Sequence, residues 1–381
     1  MVNEKYLSEQ VITYLGNKRK LLNDISYEVE LILNELGLKK GKICDLFSGS
    51  GVVARMLKQY SSRLFVNDLE EYSCIINSCY LTNQEDFNNE FYNECLSKIL
   101  SYPIKTNGVI STYYAPQDDN SIKKDERVFY THDNAIRIDT LREAIDKIVP
   151  KSYQKFFIAP LLYEASVHTN TSGVFKGFYK SKETKIGKFG GDGENAIERI
   201  KGEITLKKPI FSDYTCDVKI FNEDANVVVK HLQGLDITYI DPPYNQHPYS
   251  SNYFMLNTIL KNKIGNNISK ISGIPDDWNK SSYNKKSEVL NTFEQLIKDI
   301  DSKYLIISYN NEGFISMKDM ENMLLKYGEV TTKEIDYVTF RGSRNLKDRN
   351  KHTTEYLFIL KKNINFGIIK KDSLIETQLW D

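Results

Sequence analysis

Hydrophobic positions along this chain alternate between short apolar runs and stretches with helical spacing. The run "ICDLF" (residues 43–47) leads into the glycine turn "SGSG" and then into apolar positions with helical spacing. A second run, "RLFVND" (63–68), is also followed by a stretch with helical spacing. Repeats of strand, turn and helix are typical of a doubly wound α/β fold with a parallel sheet.

This alternation stops near residue 84 and resumes near residue 215. The intervening residues contain helical patterns and a glycine- and lysine-rich stretch, "TSGVFKGFYKSKETKIGKFGGDGEN" (171–195). Five later apolar runs predict a third to a seventh strand: "DVKIF", "LDITYI", "KYLIISYNN", "GEVTTKEIDYVTF" and "TEYLFILKK". An interruption of ~130 residues implies a second domain. We therefore predict one domain from residues 1–84 and 215–381, with residues 85–214 inserted into it.

Composition narrows the class of protein only slightly. The chain has 381 residues with 51 basic and 51 acidic side chains, so its net charge is zero. The overall charge therefore gives no sign of a polyanionic partner, and any nucleic-acid surface must come from local clusters of Lys and Arg. The five cysteines form no CxxC pair and the five histidines are scattered, so we predict no metal site. The N-terminal residues lack the apolar core of a signal peptide, and no long apolar run follows. We expect a cytoplasmic protein without a membrane segment.

Acidic residues follow several of the predicted strands. In open parallel sheets, ligands bind beyond the carboxyl ends of the strands. Asp68 comes about 17 residues after the glycine turn, where a carboxylate can accept hydrogen bonds from ribose hydroxyls. The turn has no third glycine and no GK[ST], so an adenosine-containing cofactor without a pyrophosphate is favoured over NAD or ATP. A glycine turn that serves only helix packing is the alternative.

The stretch "YIDPPYNQHPY" (239–249) ends the predicted fourth strand. Two prolines after an aspartate are a common strand terminator. They also restrict the backbone, so a carboxylate, a fixed carbonyl and the Tyr244 ring could form a rigid pocket. The tetrapeptide alone leaves both interpretations open.

Taken together, these motifs resemble the Dam-like adenine-N6 DNA methyltransferases of restriction–modification systems. Members of this family carry a motif similar to "TYLGNKRKLL" (13–22), followed by "DLFSGSG" (45–51), a target-recognition domain and "DPPY" (241–244), in that order. The segments "NYFMLNTI", "ISYNNEG" and "TTEYLFIL" also resemble relatives. The resemblance covers nearly the whole chain and is weakest between residues 84 and 214. It implies a seven-stranded methyltransferase sheet with a DNA-binding insert.

The resemblance implies S-adenosylmethionine as the cofactor, without a metal. Tyr14 and Lys18 would close over its methionine end, and Asp68 would hold its ribose. Asp224 would accept from the cofactor adenine, although Glu223 is the alternative and an N-cap role for Asp224 is another. The implied cofactor-binding residues are Tyr14, Lys18, Asp45, Phe47, Gly49, Gly51, Asp68, Asp224 and Asp241.

The implied reaction is methylation of the N6 amine of a flipped adenine in double-stranded DNA. The Asp241 carboxylate and the Pro242 carbonyl would accept the amine hydrogens, while Pro243 restricts the backbone and Tyr244 stacks on the base. Cytosine-N4 methylation, adenine methylation of RNA and a catalytically silent nucleic-acid-binding subunit remain as alternatives. A cognate restriction endonuclease would be a partner in function only.

Two basic loops are candidates for phosphate contacts: "FRGSRNLKDRNKH" (340–352) and "HTNTSGVFKGFYKSKETKIGK" (168–188). Related methyltransferases place the first of these near the extruded base, and the second mixes basic with aromatic side chains. A solvated loop is the alternative in each case. The predicted DNA-binding residues are Lys176, Lys180, Arg341, Arg344 and Arg349.

Overall fold

The computed structural model describes residues 4–191, 196–265, 267–338 and 352–363. Within these ranges, seven strands form one sheet: β1 (Gly41–Asp45), β2 (Ser61–Asn67), β3 (Asp217–Phe221), β4 (Leu235–Ile240), β5 (Ser302–Asn310), β6 (Gly328–Val338) and β7 (His352–Lys362). Their order across the sheet is β3-β2-β1-β4-β5-β7-β6. The strands lie where the apolar runs predicted them, so the prediction of a seven-stranded α/β fold is confirmed.

Helices follow the predicted alternation and also fill the interruption. The described helices are α1 (Glu4–Ser8), α2 (Leu22–Glu35), α3 (Val52–Leu57), α4 (Glu71–Tyr80), α5 (Asn89–Leu100), α6 (Val109–Tyr113), α7 (His132–Ile148), α8 (Lys151–Val167), α9 (Ile197–Lys201), α10 (Ala225–Val228), α11 (Tyr249–Asn252), α12 (Phe254–Lys261), α13 (Val289–Asp299) and α14 (Met317–Leu324). Short 3₁₀ turns lie at Lys18–Leu21, Lys58–Tyr60, Gln84–Asp86, Val229–His231 and Ser282–Asn284. Among the described helices, none has both the length and the apolarity of a membrane span.

Side-chain caps account for several helix starts. Asn88, Thr131 and Ser316 each accept a hydrogen bond from a backbone amide in the first turn of α5, α7 and α14, respectively. Such a cap satisfies a helix amide that has no partner within the helix. The short polar residues that precede these apolar stretches therefore determine where the helices begin.

The sheet is mixed rather than wholly parallel, which corrects the sequence-based expectation. Strands β1 to β5 pair in parallel, but β7 lies antiparallel between β5 and β6. Strands β6 and β7 are consecutive and pair directly along their full length, from Gly328↔Lys362 to Val338↔His352. The apolar pattern predicts strands β6 and β7 but not their relative direction. Two consecutive apolar runs are compatible with an antiparallel pair and with two parallel strands joined by a crossover.

Apolar side chains cover both faces of the sheet. Ile43 and Ile306 pack in one hydrophobic cluster with α2 and α3, whereas their neighbours Cys44 and Ile307 pack on the other face with α13 and α14. The strand order changes direction between β1 and β4: β2 and β3 lie on one side of this pair, and β5, β7 and β6 lie on the other. A crevice therefore forms at the carboxyl ends of these two strands, which is where ligands bind in such sheets.

Helices α5 to α9 lie in the segment predicted as an insert. Their hydrophobic cluster also includes α4 and α12, through residues such as Tyr72 and Phe254. Buried Arg142 of α7 strengthens this connection, because its guanidinium donates to the carbonyls of Ile259 and Leu260 at the end of α12. These helices are thus packed directly against the segment that follows the DPPY tetrapeptide.

The N-terminal segment is held by one buried guanidinium. Arg55 of α3 donates to the carbonyls of Tyr6 (2.9 Å), Glu9 (3.0 Å) and Gln10 (2.9 Å). Its guanidinium lies 4.0 Å from the centroid of the Tyr80 ring. Arg55 therefore binds the residues that precede the "TYLGNK" motif to the helix that follows the glycine turn.

We expect Arg55→Met to lower the free energy of unfolding by about 3 kcal/mol, because three carbonyls lose a charged donor. Denaturant titration followed by circular dichroism measures this change. Arg63→Met is the matched control: Arg63 pairs with Asp217 on the surface, and we expect a loss below about 1 kcal/mol. Equal losses for the two variants would contradict the role assigned to Arg55.

Candidate active site

A cavity with an empty volume of about 870 Å³ lies at the carboxyl ends of the central strands. Most of the sequence-predicted site residues line it: Tyr14, Lys18, Asp45, Phe47, Gly49, Asp68, Asp224, Asp241 and Pro243. The fold thus brings together motifs that lie far apart in the chain, from Tyr14 to Pro243.

Three predicted residues lie beside the cavity rather than on its wall. Pro242 is buried and Gly51 begins α3. Tyr244 packs edge-on against Tyr309, with ring centroids 6.0 Å apart. Lys18 Nζ lies 5.8 Å from the centroid of the Tyr244 ring. Tyr244 is therefore adjacent to the predicted catalytic carboxylate.

The glycine turn requires glycine at two positions. Gly49 has φ 49° and Gly51 has φ 78°, a left-handed region that other residues adopt at a cost. A Cβ on Gly51 would also lie 2.5 Å from Asn77 Oδ1. Asn77 donates to Ser48 Oγ at 3.0 Å, so α4 packs closely against the turn.

Asp68 is oriented by the turn that it faces. One carboxylate oxygen accepts from the Gly49 amide at 2.7 Å, and the other accepts from the Glu70 amide at 2.9 Å. Burial raises the pKa of Asp68 to about 7, although these two amides favour its charged form. Each oxygen retains a second lone pair, so Asp68 can still accept hydrogen bonds from hydroxyl groups in the cavity.

Asp45 is the buried carboxylate at the end of β1. Within the described residues, neither of its oxygens has a hydrogen-bond partner of suitable distance and angle. Burial, reinforced by the charges of Asp241 and Asp68, raises the pKa of Asp45 well above its ordinary value. The backbone amides of Ala54 and Phe47 lower this pKa in part, and a cationic or N–H donor in the cavity would favour the charged form further.

The acidic pair after β3 also reaches the cavity. Asp224 Oδ1 accepts from the Asn226 amide at 2.8 Å, so Asp224 has the N-cap role that was the alternative to a cofactor contact. The cofactor contact stays a prediction. Glu223 is exposed, and its amide donates to Asn67 Oδ1. Asn67 Nδ2 donates in turn to the carbonyls of Leu46 and Glu223, both at 3.1 Å. Asn67 therefore ties the ends of three strands together.

At the DPPY end, a buried lysine lies between two carboxylates. Lys18 Nζ lies 2.7 Å from Glu355 Oε1 and 3.2 Å from Asp241 Oδ1. Burial lowers the pKa of Lys18, but the charges of Asp241 and Glu355 outweigh this effect and hold it well above its ordinary value. Burial raises the pKa of Asp241 to about 7, Lys18 opposes this rise and Glu355 adds to it.

Tyr14 forms part of an aromatic stack beside this group. Its ring lies 5.0 Å from that of Tyr249 and 4.5 Å from that of Tyr253, both nearly parallel. Its hydroxyl is 3.2 Å from that of Tyr72. Tyr14 therefore links the N-terminal motif to the residues that follow the DPPY tetrapeptide.

Sequence analysis missed several residues that organise the site. Glu70 is buried and accepts from Ser250 (2.5 Å) and Asn257 (2.8 Å), so it joins the start of α4 to the segment after DPPY. Glu355 falls within a predicted apolar strand, and Asn67 falls at a predicted strand end. An acidic residue inside the apolar run "TTEYLFIL" is the signal that could have identified Glu355.

The predicted DNA contacts fall into two groups. Lys176 is exposed, with its Nζ 3.5 Å from His247 Nδ1, and Lys180 is exposed beside the Phe178 ring. Arg341, Arg344 and Arg349 lie outside the described residues. Among the described residues, no group of three or more His, Cys, Asp or Glu side chains could hold a metal ion.

Comparison with known proteins defines the class. A family model described as D12 class N6 adenine-specific DNA methyltransferase matches residues 14–323, and the chain belongs to that family. Its relatives include Type II methyltransferase M.NlaIII of Neisseria lactamica, 28% identical over 92% of this chain and 99% of the relative. Type II methyltransferase M.CviAII of Paramecium bursaria Chlorella virus 1 is 30% identical over 92% and 98%.

A third relative, Modification methylase StsI of Streptococcus sanguinis, is 27% identical over 92% of this chain and 52% of the relative. These matches confirm the family that the sequence motifs indicated. The protein is an adenine-specific DNA methyltransferase, and it acts on DNA. Family membership also implies a methyl-donating cofactor, for which the cavity is the candidate site.

We expect Gly51→Ala to lower the free energy of unfolding by about 3 kcal/mol, because left-handed backbone strain adds to the close approach of Asn77. Gly234→Ala is the matched control, since Gly234 has φ 61° but no atom within 4 Å of an added Cβ. The control should lose about 1 kcal/mol. Thermal or chemical denaturation measures both, and an equal cost would show that packing at Gly51 is unimportant.

Proposed function

We propose that this protein transfers a methyl group from S-adenosylmethionine to the N6 amine of an adenine flipped out of double-stranded DNA. The proposal rests on one observation: the DPPY carboxylate, the glycine turn and the acidic strand ends line the same cavity. Family membership supports the adenine and the DNA. The donor, the flipped base and the individual residue roles are our proposal.

The polar groups that line the cavity fit this cofactor. Asp68 retains free lone pairs for a ribose diol, and Asp224 borders the cavity with one oxygen not used by the helix cap. Asp45 is suited to the α-ammonium group, because it lines the cavity as a buried carboxylate beside Asp68 and Asp241, where a cation would offset their repulsion. Gly49 and Gly51 permit close backbone approach, and Phe47 supplies an apolar wall. Tyr14 covers the same side of the cavity.

When bound, S-adenosylmethionine would supply an electrophilic methyl group. The sulfur would keep the electron pair of the broken S–C bond and leave as S-adenosylhomocysteine, and the methylated amine would release one proton to water. Asp241 and the Pro242 carbonyl accept the two amine hydrogens, which directs the nitrogen lone pair toward the methyl group. Lys18 binds Oδ1 of Asp241 and leaves Oδ2 for the amine. The prolines hold both acceptors in place before the base arrives.

The adenine stacks on Tyr244, whose ring is held edge-on by Tyr309. A base paired within a duplex cannot reach a cavity at the ends of buried strands, so the target nucleotide must leave the helix. Hydrogen bonds to its amine distinguish adenine from thymine and guanine. Stacking on an aromatic ring supplies the remaining affinity.

We propose that residues 85–214 form a target-recognition domain inserted between residues 1–84 and 215–381. In support, the Phe175 amide donates to the Asn252 carbonyl at 2.7 Å, so the basic loop contacts the segment after DPPY. Lys176 and Lys180, with Arg341, Arg344 and Arg349, are the proposed phosphate contacts. Names of relatives that include "modification methylase" support a cognate restriction endonuclease as a partner in function only.

Incubation with duplex DNA and labelled S-adenosylmethionine should give N6-methyladenine, and Asp241→Ala should lower the rate at least about 1,000-fold. Mass spectrometry of digested DNA identifies the modified base. Circular dichroism and the melting temperature serve as folding controls. Label in N4-methylcytosine, label only in RNA, or an undiminished rate for the variant would each overturn the proposal.

Cofactor affinity should depend on Asp224 rather than on Glu223. Asp224→Asn keeps a side chain that can cap α10 but removes the charge, and we expect about 10-fold weaker binding of S-adenosylmethionine. Glu223→Gln is the matched control and should bind within about 2-fold of the original protein, because exposed charges contribute little. Isothermal titration calorimetry measures both. The reverse order would assign the contact to Glu223.

A further inference from the structure

Glu355 is a buried carboxylate in the middle of β7. Its Oε1 accepts two hydrogen bonds, from Lys18 Nζ and from Ser308 Oγ, both at 2.7 Å. Ser308 lies on the neighbouring strand β5 and is fully buried. A charge at this depth is expensive unless it is paired and hydrogen-bonded, as it is here.

Other buried lysines of the protein have a different kind of partner. Lys58 Nζ donates to the carbonyls of Leu81 and Thr82, and Lys362 Nζ donates to those of Ile297 and Ile300. These lysines satisfy carbonyls at helix ends, which is a structural task. Lys18 instead lies between two carboxylates, and one of them is the proposed catalytic group.

We propose that Glu355 is a positioning residue for methyl transfer, which holds Lys18 between itself and Asp241 and thereby keeps Asp241 a strong hydrogen-bond acceptor. This inference rests on the proposed function of Asp241. It assigns to Glu355 a role in the reaction beyond the stability of the strand.

The distances support this arrangement. Lys18 Nζ is 0.5 Å closer to Glu355 than to Asp241, as the separations of 2.7 and 3.2 Å show. The ammonium therefore neutralises Glu355 most directly and weakens Asp241 as an acceptor only in part. Without the charge of Glu355, Lys18 would interact with Asp241 alone. Asp241 would then be a weaker hydrogen-bond acceptor for the target amine.

The ionisable groups that face Asp241 come from several elements of the fold. They are Lys18 before α2, Asp45 of β1, Tyr239 of β4, Tyr244 and Tyr249 after β4, and Glu355 of β7. Burial raises the pKa of Asp241 to about 7, Lys18 lowers it and Glu355 raises it. Replacing Glu355 by a neutral side chain must therefore lower the pKa of Asp241.

The sign of the activity change follows from this pKa. Asp241 accepts hydrogen bonds best as a carboxylate, so the rate should rise with pH as Asp241 loses its proton. In the original protein, the midpoint of this rise should lie near the Asp241 pKa of about 7. In Glu355→Gln, the midpoint should lie about one pH unit lower.

Single-turnover methylation of duplex DNA, measured from about pH 5 to about pH 9, tests the proposal. For Glu355→Gln we expect the lower midpoint and a plateau rate reduced about 10-fold, because Asp241 is a weaker acceptor. Ser308→Ala is the matched control: it removes one hydrogen bond from Glu355 but keeps the charge, so its midpoint should not move. A variant with an unchanged midpoint, whatever its rate or melting temperature, would overturn the positioning role.

A second measurement does not depend on catalysis. Carbon-13 NMR of protein labelled at the aspartate carboxyl carbons reports the titration of Asp241, whose signal is assigned by its loss in Asp241→Asn. The Asp241 midpoint should be lower in Glu355→Gln than in the original protein, and an equal or higher midpoint would contradict the proposal. This result stands even if no DNA is methylated, which would count against the proposed function alone.

If Glu355→Gln does not fold, Glu355→Asp provides the same test with the charge retained. The shorter side chain lengthens the contact with Lys18, so the ammonium moves toward Asp241. We expect the midpoint to fall in the same direction by a smaller amount. An unchanged midpoint in a folded Glu355→Asp variant would also overturn the proposal.

Discussion

The contact on which the active site depends is the buried ammonium of Lys18 between Glu355 and Asp241. It joins the N-terminal motif, the end of β4 and the strand β7, which are far apart in the chain. Pairing a buried cation with two carboxylates lowers the free-energy cost of burying each charge. Removing one group would leave the other charges buried without a full partner. The three segments are therefore held in one geometry by a single side chain.

Around this contact the cavity carries an excess of acidic groups. Asp45, Asp68 and Asp241 lie on one wall, and burial together with mutual repulsion raises the pKa of Asp45 well above its ordinary value. Such a site favours a ligand that brings positive charge and N–H or O–H donors. S-adenosylmethionine has a sulfonium, an ammonium and a ribose diol, so its binding would relieve the repulsion among these carboxylates.

Aromatic stacking connects this cavity to the helical insert. Tyr14 stacks on Tyr253, whose ring also lies 6.4 Å from that of Phe175 in the basic loop. The Leu15 amide donates to the Tyr253 hydroxyl at 2.6 Å, so the backbone of the N-terminal motif is held as well. The basic loop is therefore packed, through Phe175 and Tyr253, against the Tyr14 side chain that lines the cavity.

The sequence by itself determined the strands, the glycine turn and the row of acidic residues, because periodicity, glycine and proline act locally. It also placed Asp241 beside the cofactor motif through the order of the family motifs. Only the tertiary structure decided that β7 is antiparallel, that Lys18 pairs with Glu355, and that Asn67 ties three strand ends together. Each of these depends on groups that are distant in the chain and meet only in the assembled sheet, and sequence spacing does not encode such partners.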